Sequence, residues 1–71
     1  MKVRFNKKLY AEAAVKAAAD AFADVASVAI GSRGSYYTAD LEVVPPQSEV
    51  EVVREFSNYV LGETIAMRGE P

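Results

Sequence analysis

The chain contains no cysteine and no histidine. The first absence excludes disulfides, and the two together exclude thiolate and imidazole metal ligands and any nucleophile–histidine dyad. Carboxylate pairs, a serine–lysine dyad or tyrosine are what remain for catalysis, and no local spacing singles one of them out. The sequence therefore reads as that of a non-enzymatic protein with no cofactor and no metal site. At 71 residues a single core supplies about 3–5 kcal/mol of net stability. With the usual staples excluded, the support has to come from close packing or from self-association. A chain without cysteine also fits a reducing compartment.

Long apolar runs are missing too. No stretch approaches the ~20 apolar residues that span a bilayer. The basic start, the alanine-rich middle and Ala26-Ser27-Val28-Ala29 imitate a secretory signal with its cleavage site. Glu12, Lys16, Asp20 and Asp24, at every fourth position, break what would have to be an uninterrupted apolar run. Nor is there an excess of positive charge: eight Lys and Arg face ten Asp and Glu, for a net charge of −2. The basic residues are spread along the chain, so the electrostatic footprint of a nucleic-acid binder is missing. These features predict a cytoplasmic protein with a protein or small neutral partner, no nucleic acid and no membrane.

What is present is patterned throughout. Val3 and Phe5 alternate with Lys2, Arg4 and Asn6, the period of a half-buried strand. Eight alanines lie between positions 11 and 23. On a helical wheel Ala11, Val15, Ala18 and Phe22 fall together, and Glu12, Lys16 and Asp20 line the opposite side, which predicts a helix over 11–24. Ala14, Ala17 and Ala21 form a strip beside the apolar stripe, suited to close approach by a second helix; high helix propensity is the plainer reason for alanine here. Ala26, Val28 and Ile30 alternate with Ser27, Ala29 and Gly31. Tyr37, Ala39, Leu41 and Val43 alternate with Tyr36, Thr38, Asp40 and Glu42. Between the two runs Ser32-Arg33-Gly34-Ser35 has the composition of a hairpin turn.

Pro45-Pro46 ends the third strand. Ser48-Glu49-Val50-Glu51 fits a capping box for a second helix, whose stripe is Val52, Val53, Phe56, Tyr59, Val60 and Met67. Gly62 interrupts that helix and predicts a frayed or bent last turn. The element order β-α-β-β-α, with each strand apolar on one face, predicts a two-layer α+β sandwich. Its three-stranded sheet has the order 1-3-2, as in a split β-α-β unit, with both helices on one face. The domain runs over 1–68 and is followed by a flexible tail at 69–71.

Three surfaces are candidates for function. In the 1-3-2 order the strand carrying Ala26, Val28, Ala29 and Ile30 is an edge without charge or proline, where natural edges are normally defended; such an edge suits strand addition by a partner or a second copy. Tyr36 and Thr38, with Lys2 and Arg4, lie on the sheet face that the helices leave open, and suit a solvated face, a dimer contact or a stacking platform. Leu61 and Ile65 lie one turn apart, off the main stripe of the second helix, and could form a docking patch. The loop Gly31-Ser32-Arg33-Gly34-Ser35 opens onto a strand and not onto a helix N-terminus, so it reads as a hairpin and not as a phosphate cradle.

Phe5-Asn6-Lys7-Lys8-Leu9-Tyr10, then Ala14-Val15 and Ala18 leading to Phe22, Tyr36-Tyr37-Thr38-Ala39-Asp40-Leu41, and Arg54-Glu55-Phe56-Ser57-Asn58-Tyr59-Val60-Leu61 form one pattern. It resembles the HxsD proteins of His-Xaa-Ser peptide-maturation systems, over roughly positions 3 to 65. The resemblance implies a small accessory protein working beside radical enzymes on a repeat-containing precursor peptide, as a peptide or enzyme adaptor. It carries no catalytic motif and assigns no residue a role. Ala11 stands where such proteins tend to place a capping Ser. The expectation is a non-catalytic adaptor for a peptide or protein; the alternatives are a structural homodimer and a small-molecule-binding regulatory domain, the last by fold analogy alone.

Overall fold

A computed structural model describes residues 1–68 of the chain; the tail expected at 69–71 lies outside the described residues. Strand β1 (Lys2–Asn6) is followed by helix α1 (Glu12–Ala21), strands β2 (Ala26–Arg33) and β3 (Tyr36–Val43), and helix α2 (Glu49–Met67). The sheet order is β1-β3-β2 and both pairings are antiparallel. The edge strands β1 and β2 are therefore parallel to each other with β3 inserted between them, the split β-α-β arrangement that the one-sided alternation predicts.

Register explains which residues meet. Val3 and Phe5 of β1 stand opposite Ala39 and Tyr37, and Ala26, Val28 and Ile30 of β2 stand opposite Val43, Leu41 and Ala39. All of these point to the helix layer. Between the layers Phe5, Ala14, Val15, Ala18, Ala26, Ala39, Leu41, Val52, Phe56 and Val60 are buried. An aromatic series threads this core. Tyr10 meets Phe5 edge-on at 5.1 Å between ring centroids. Phe5 meets Phe56 at 6.2 Å, and Phe22 meets both Phe56 (5.5 Å) and Tyr59 (5.8 Å). Such edge-to-face pairs are worth about 0.5–1.5 kcal/mol beyond the area they bury. The series joins β1, the residues flanking α1, and α2 in one chain of contacts.

Several local features differ from expectation. Helix α1 ends at Ala21 and not at 24, although no Gly, Pro or Asn marks a stop. Phe22 packs against Phe56 and Tyr59, and its carbonyl accepts from the amides of Val25 and Ala26, which turns the chain into β2. Tertiary packing, not propensity, sets that end. The alanine strip is also displaced. Ala14 is buried and Ala17 half-buried, but Ala21 is exposed, while Ala18 on the apolar stripe is buried as expected. Strand β2 extends through Ser32 and Arg33, and the turn shrinks to Gly34-Ser35. Gly34 has φ +58° and among the described residues no non-glycine residue has positive φ, so the connection is of the II′ kind, which matches the twist of a hairpin.

Helix α2 runs unbroken through Gly62, where a bent or frayed turn was expected. Its buried line is Val52, Phe56, Val60 and Thr64; Val53 is half-buried, and Tyr59 and Met67 are exposed. A line taken every fourth residue drifts by about 40° per step around a helix, which brings Thr64 and not Met67 under the core. The Ser48 hydroxyl accepts from the Glu51 amide at 3.4 Å, as a cap should. Among the described residues the reciprocal bond from the Glu51 carboxylate is absent.

The end of the helix layer where α1 begins and α2 finishes is tied by groups that the periodicity hides. Ala11 starts α1 without a side-chain cap of its own. Its amide donates instead to Thr64 Oγ1 at 3.3 Å, from the far end of α2. One turn on, the Arg68 guanidinium donates to the carbonyl oxygens of Leu9 (2.8 Å) and Lys8 (3.4 Å). The last turn of α2 is thus fastened across the loop that precedes α1.

Candidate functional site

The strand-edge surface can be built from the ladder. The Val44 amide donates to the Val25 carbonyl at 2.8 Å. In an antiparallel ladder the bonded positions alternate, so the odd-numbered residues of β2 exchange hydrogen bonds with β3. The amide and carbonyl groups of the even-numbered residues turn outward. Among these, the Ala26 amide is taken by Phe22 O at 3.0 Å. The backbones of Val28, Ile30 and Ser32 remain as the outward-facing row on this edge. No charged side chain stands in the strand before Arg33.

Side chains sort the predicted site residues further. Ala26 is 2% exposed and belongs to the core, so its side chain is no part of a docking surface, contrary to expectation. Val28 and Ile30 are half-buried on the helix side and contribute to the edge chiefly through their backbones. Ala29 is exposed on the open side, opposite Asp40. Tyr36 is exposed there as well, with the Arg4 guanidinium 5.2 Å from its ring centroid, within cation–π range. Thr38 stands opposite Gly31, and a Cβ at that glycine would lie 2.9 Å from Thr38 Oγ1. Thr38, half-buried, thus occupies space that a side chain at position 31 would need.

Arg33 escaped the sequence reading, which assigned it to the turn. The register places it directly opposite Tyr36, on the open face. The basic residues that look scattered in sequence now concentrate: Arg4, Arg33, Lys7 and Lys8 all lie at the hairpin end of the sheet, where the Lys7 amide bonds to Ser35 O and its Nζ sits 5.4 Å from the Tyr37 ring centroid. At the other end of the open face stand Asp40 and Glu42. Beside them is a shallow, solvent-open depression bordered by Met1, Ser27, Ala29, Asp40 and Glu42. The Met1 ammonium lies 3.6 Å from an Asp40 oxygen. Along β2 and β3 the charges are sorted by strand direction; Lys2 of β1, which stands opposite Asp40, lies outside that sorting.

Leu61 and Ile65 are 45% and 52% exposed on α2, in the layer on the other side of the sheet from the open face. They cannot share one compact site with Ala29 and Tyr36. Among the described residues no three Asp or Glu side chains come together as metal ligands, and no helix is long and apolar enough to cross a membrane.

These features define a small α+β domain with a bare sheet edge beside an uncovered, charge-sorted sheet face. Comparison with protein-family models, with curated proteins and with solved structures gives no match for this chain.

Proposed function

We propose that the protein is a non-catalytic adaptor that takes an extended segment of a partner as a fourth strand along β2. The observation that carries this reading is the outward row of backbone groups at Val28, Ile30 and Ser32, on a strand with no charge before Arg33. Main-chain hydrogen bonds would supply affinity, and the side chains beside the edge would supply selectivity. The HxsD-like pattern names a candidate partner, a precursor peptide with His-Xaa-Ser repeats, with an associated radical enzyme performing the chemistry. Cytoplasmic location follows from the same reading.

Titration of the isotope-labelled protein with a synthetic His-Xaa-Ser repeat peptide tests it. Amide resonances of residues 26–33 should shift, and Ser32→Pro should abolish the shifts while circular dichroism stays unchanged. Proline removes an outward donor at an exposed edge position, where the fold tolerates it best. Shifts confined to residues 61–65 would move the site to α2. Absence of any shift would remove this partner from the proposal.

A second reading rests on the same edge, since its two ends carry opposite charge: Arg33 at one, and Asp24 just before the other. Two copies paired antiparallel through β2 would bring each basic end to the other's acidic end. A homodimer of this kind would melt at a temperature that rises with protein concentration. A melting temperature constant over a hundredfold range, roughly 2.7 kcal/mol in mass-action terms, would exclude it.

A further inference from the structure

The open face beside β2 has a direction, and the direction restricts what can be added to it. At the hairpin end Arg33 projects from the edge strand itself, next to Tyr36, on whose ring Arg4 is stacked. Among the described residues neither arginine makes a salt bridge or a side-chain hydrogen bond. Four residues back along β2 the side chain is Ala29, and six back it is Ser27, opposite Asp40 and Glu42 respectively. Small side chains at 27, 29 and 31 leave the way clear for a long side chain from an added strand to lie across β2. It would reach the depression where Glu42 stands beside Asp40, whose charge the Met1 ammonium at 3.6 Å and Lys2 opposite it partly offset.

We propose that the partner strand runs antiparallel to β2 and carries an acidic side chain opposite Arg33, followed four to six residues later by a lysine or arginine that reaches across Ala29 or Ser27 to Asp40 and Glu42. The inference rests on the strand-addition reading above and specifies the sequence class it takes. Because the odd-numbered residues of β2 bond to β3, Arg33 would face its partner residue in a non-hydrogen-bonded pair, the kind in which side chains stand closest, with Cα atoms about 4.5 Å apart. Antiparallel pairing places the N-terminal end of the added strand at Arg33. The acid must therefore come before the base in the partner's sequence. Reversing that order puts like charges together at both ends. Arg4 does not reach the added strand, three strand spacings of about 4.8 Å away; it holds the Tyr36 ring and raises the positive potential behind Arg33.

The probes are three blocked peptides of about eight residues, the length of an ordinary strand, built from alternating threonine and valine. One has Glu near its N-terminal end and Lys four residues later, one has the two exchanged, and one has threonine at both sites. Binding is read from the amide resonances of β2 at low salt. The neutral peptide should bind weakly along β2. The Glu-first peptide should bind about tenfold more tightly than the Lys-first peptide, a difference of about 1.4 kcal/mol shared between two exposed charge pairs that change sign. Arg33→Glu should erase or reverse that preference, and about 0.5 M salt should reduce it by screening.

Equal affinity for the two charged peptides, or tighter binding of the Lys-first one, would overturn this inference and leave strand addition standing. No β2 shifts with any peptide would overturn both. A single-stranded oligouridylate that shifts Arg4, Arg33 and Tyr36 while the peptides do not would assign the open face to nucleic acid instead.

Discussion

Glycine and alanine decide more of this molecule than its larger side chains suggest. Gly62 interrupts the pattern of α2, yet the helix runs straight through it and a Cβ there would meet nothing within 4 Å. No packing demands the glycine, so Gly62→Ala should stabilise the protein by about 1 kcal/mol, read as a rise in the urea midpoint at unchanged m-value. Gly31 is the opposite case, because a Cβ there would press on Thr38 Oγ1 at 2.9 Å. Among the alanines, Ala18 is buried between the layers whereas Ala21 faces water. Ala18→Leu should therefore destabilise by about 1–3 kcal/mol through overpacking, and Ala21→Leu should stay within about 0.5 kcal/mol of wild type. Chemical denaturation of the two variants side by side checks the pair. The wheel placed Ala18 on the apolar stripe and Ala21 on the strip beside it, but it could not show that the strip's far end turns to water, because the tilt of α1 against α2 belongs to no single helix.

Between elements, the informative contacts are polar and far apart in sequence. Thr64 looks like an ordinary polar interruption of α2, and only the fold reveals it as the acceptor for the uncapped start of α1. Thr64→Val keeps the shape and removes the acceptor, so the Ala11 amide loses its partner at a cost of about 1–3 kcal/mol. Thr64→Ser, which keeps the hydroxyl, should recover part of this in the same thermal melts. The strands were legible because each alternates over one face: the bounds of β1, the inward set of β3 and the 1-3-2 order all follow from that alternation and from the short hairpin. Two features were not legible. Helix α1 ends where Phe22 finds Phe56 and Tyr59, a contact made 34 and 37 residues away along the chain (56 − 22 and 59 − 22). Arg33 reads as turn because edge-strand residues near a hairpin are polar on both sides, and only the two-residue turn at Gly34-Ser35 draws it into the ladder.

At the scale of the whole molecule, folding produces two properties that no segment has alone. One is the bare row on β2, which requires the order β1-β3-β2 to make this strand an edge. The sequence reading located that edge, but it included Ala26, which the helix layer buries. The other is the sorting of charge along β2 and β3, with Arg33 at the hairpin end and Asp40 and Glu42 at the other, while Lys2 of β1 stands opposite Asp40. Basic residues dispersed in sequence gave no sign of it, because their convergence depends on register. A net charge of −2 then conceals a directional surface along β2 and β3.

The most direct test of the central claim is amide hydrogen exchange across β2 in the free protein and in its peptide complex. Strand addition predicts that the amides of Val28, Ile30 and Ser32 exchange readily in the free protein and slow by at least about tenfold when the peptide binds, since each then joins a ladder. The intervening amides of Ser27, Ala29 and Gly31, already bonded to β3, should change far less. An alternating pattern of gained protection would establish the fourth strand. Tight binding with no change at Val28, Ile30 and Ser32 would contradict the account.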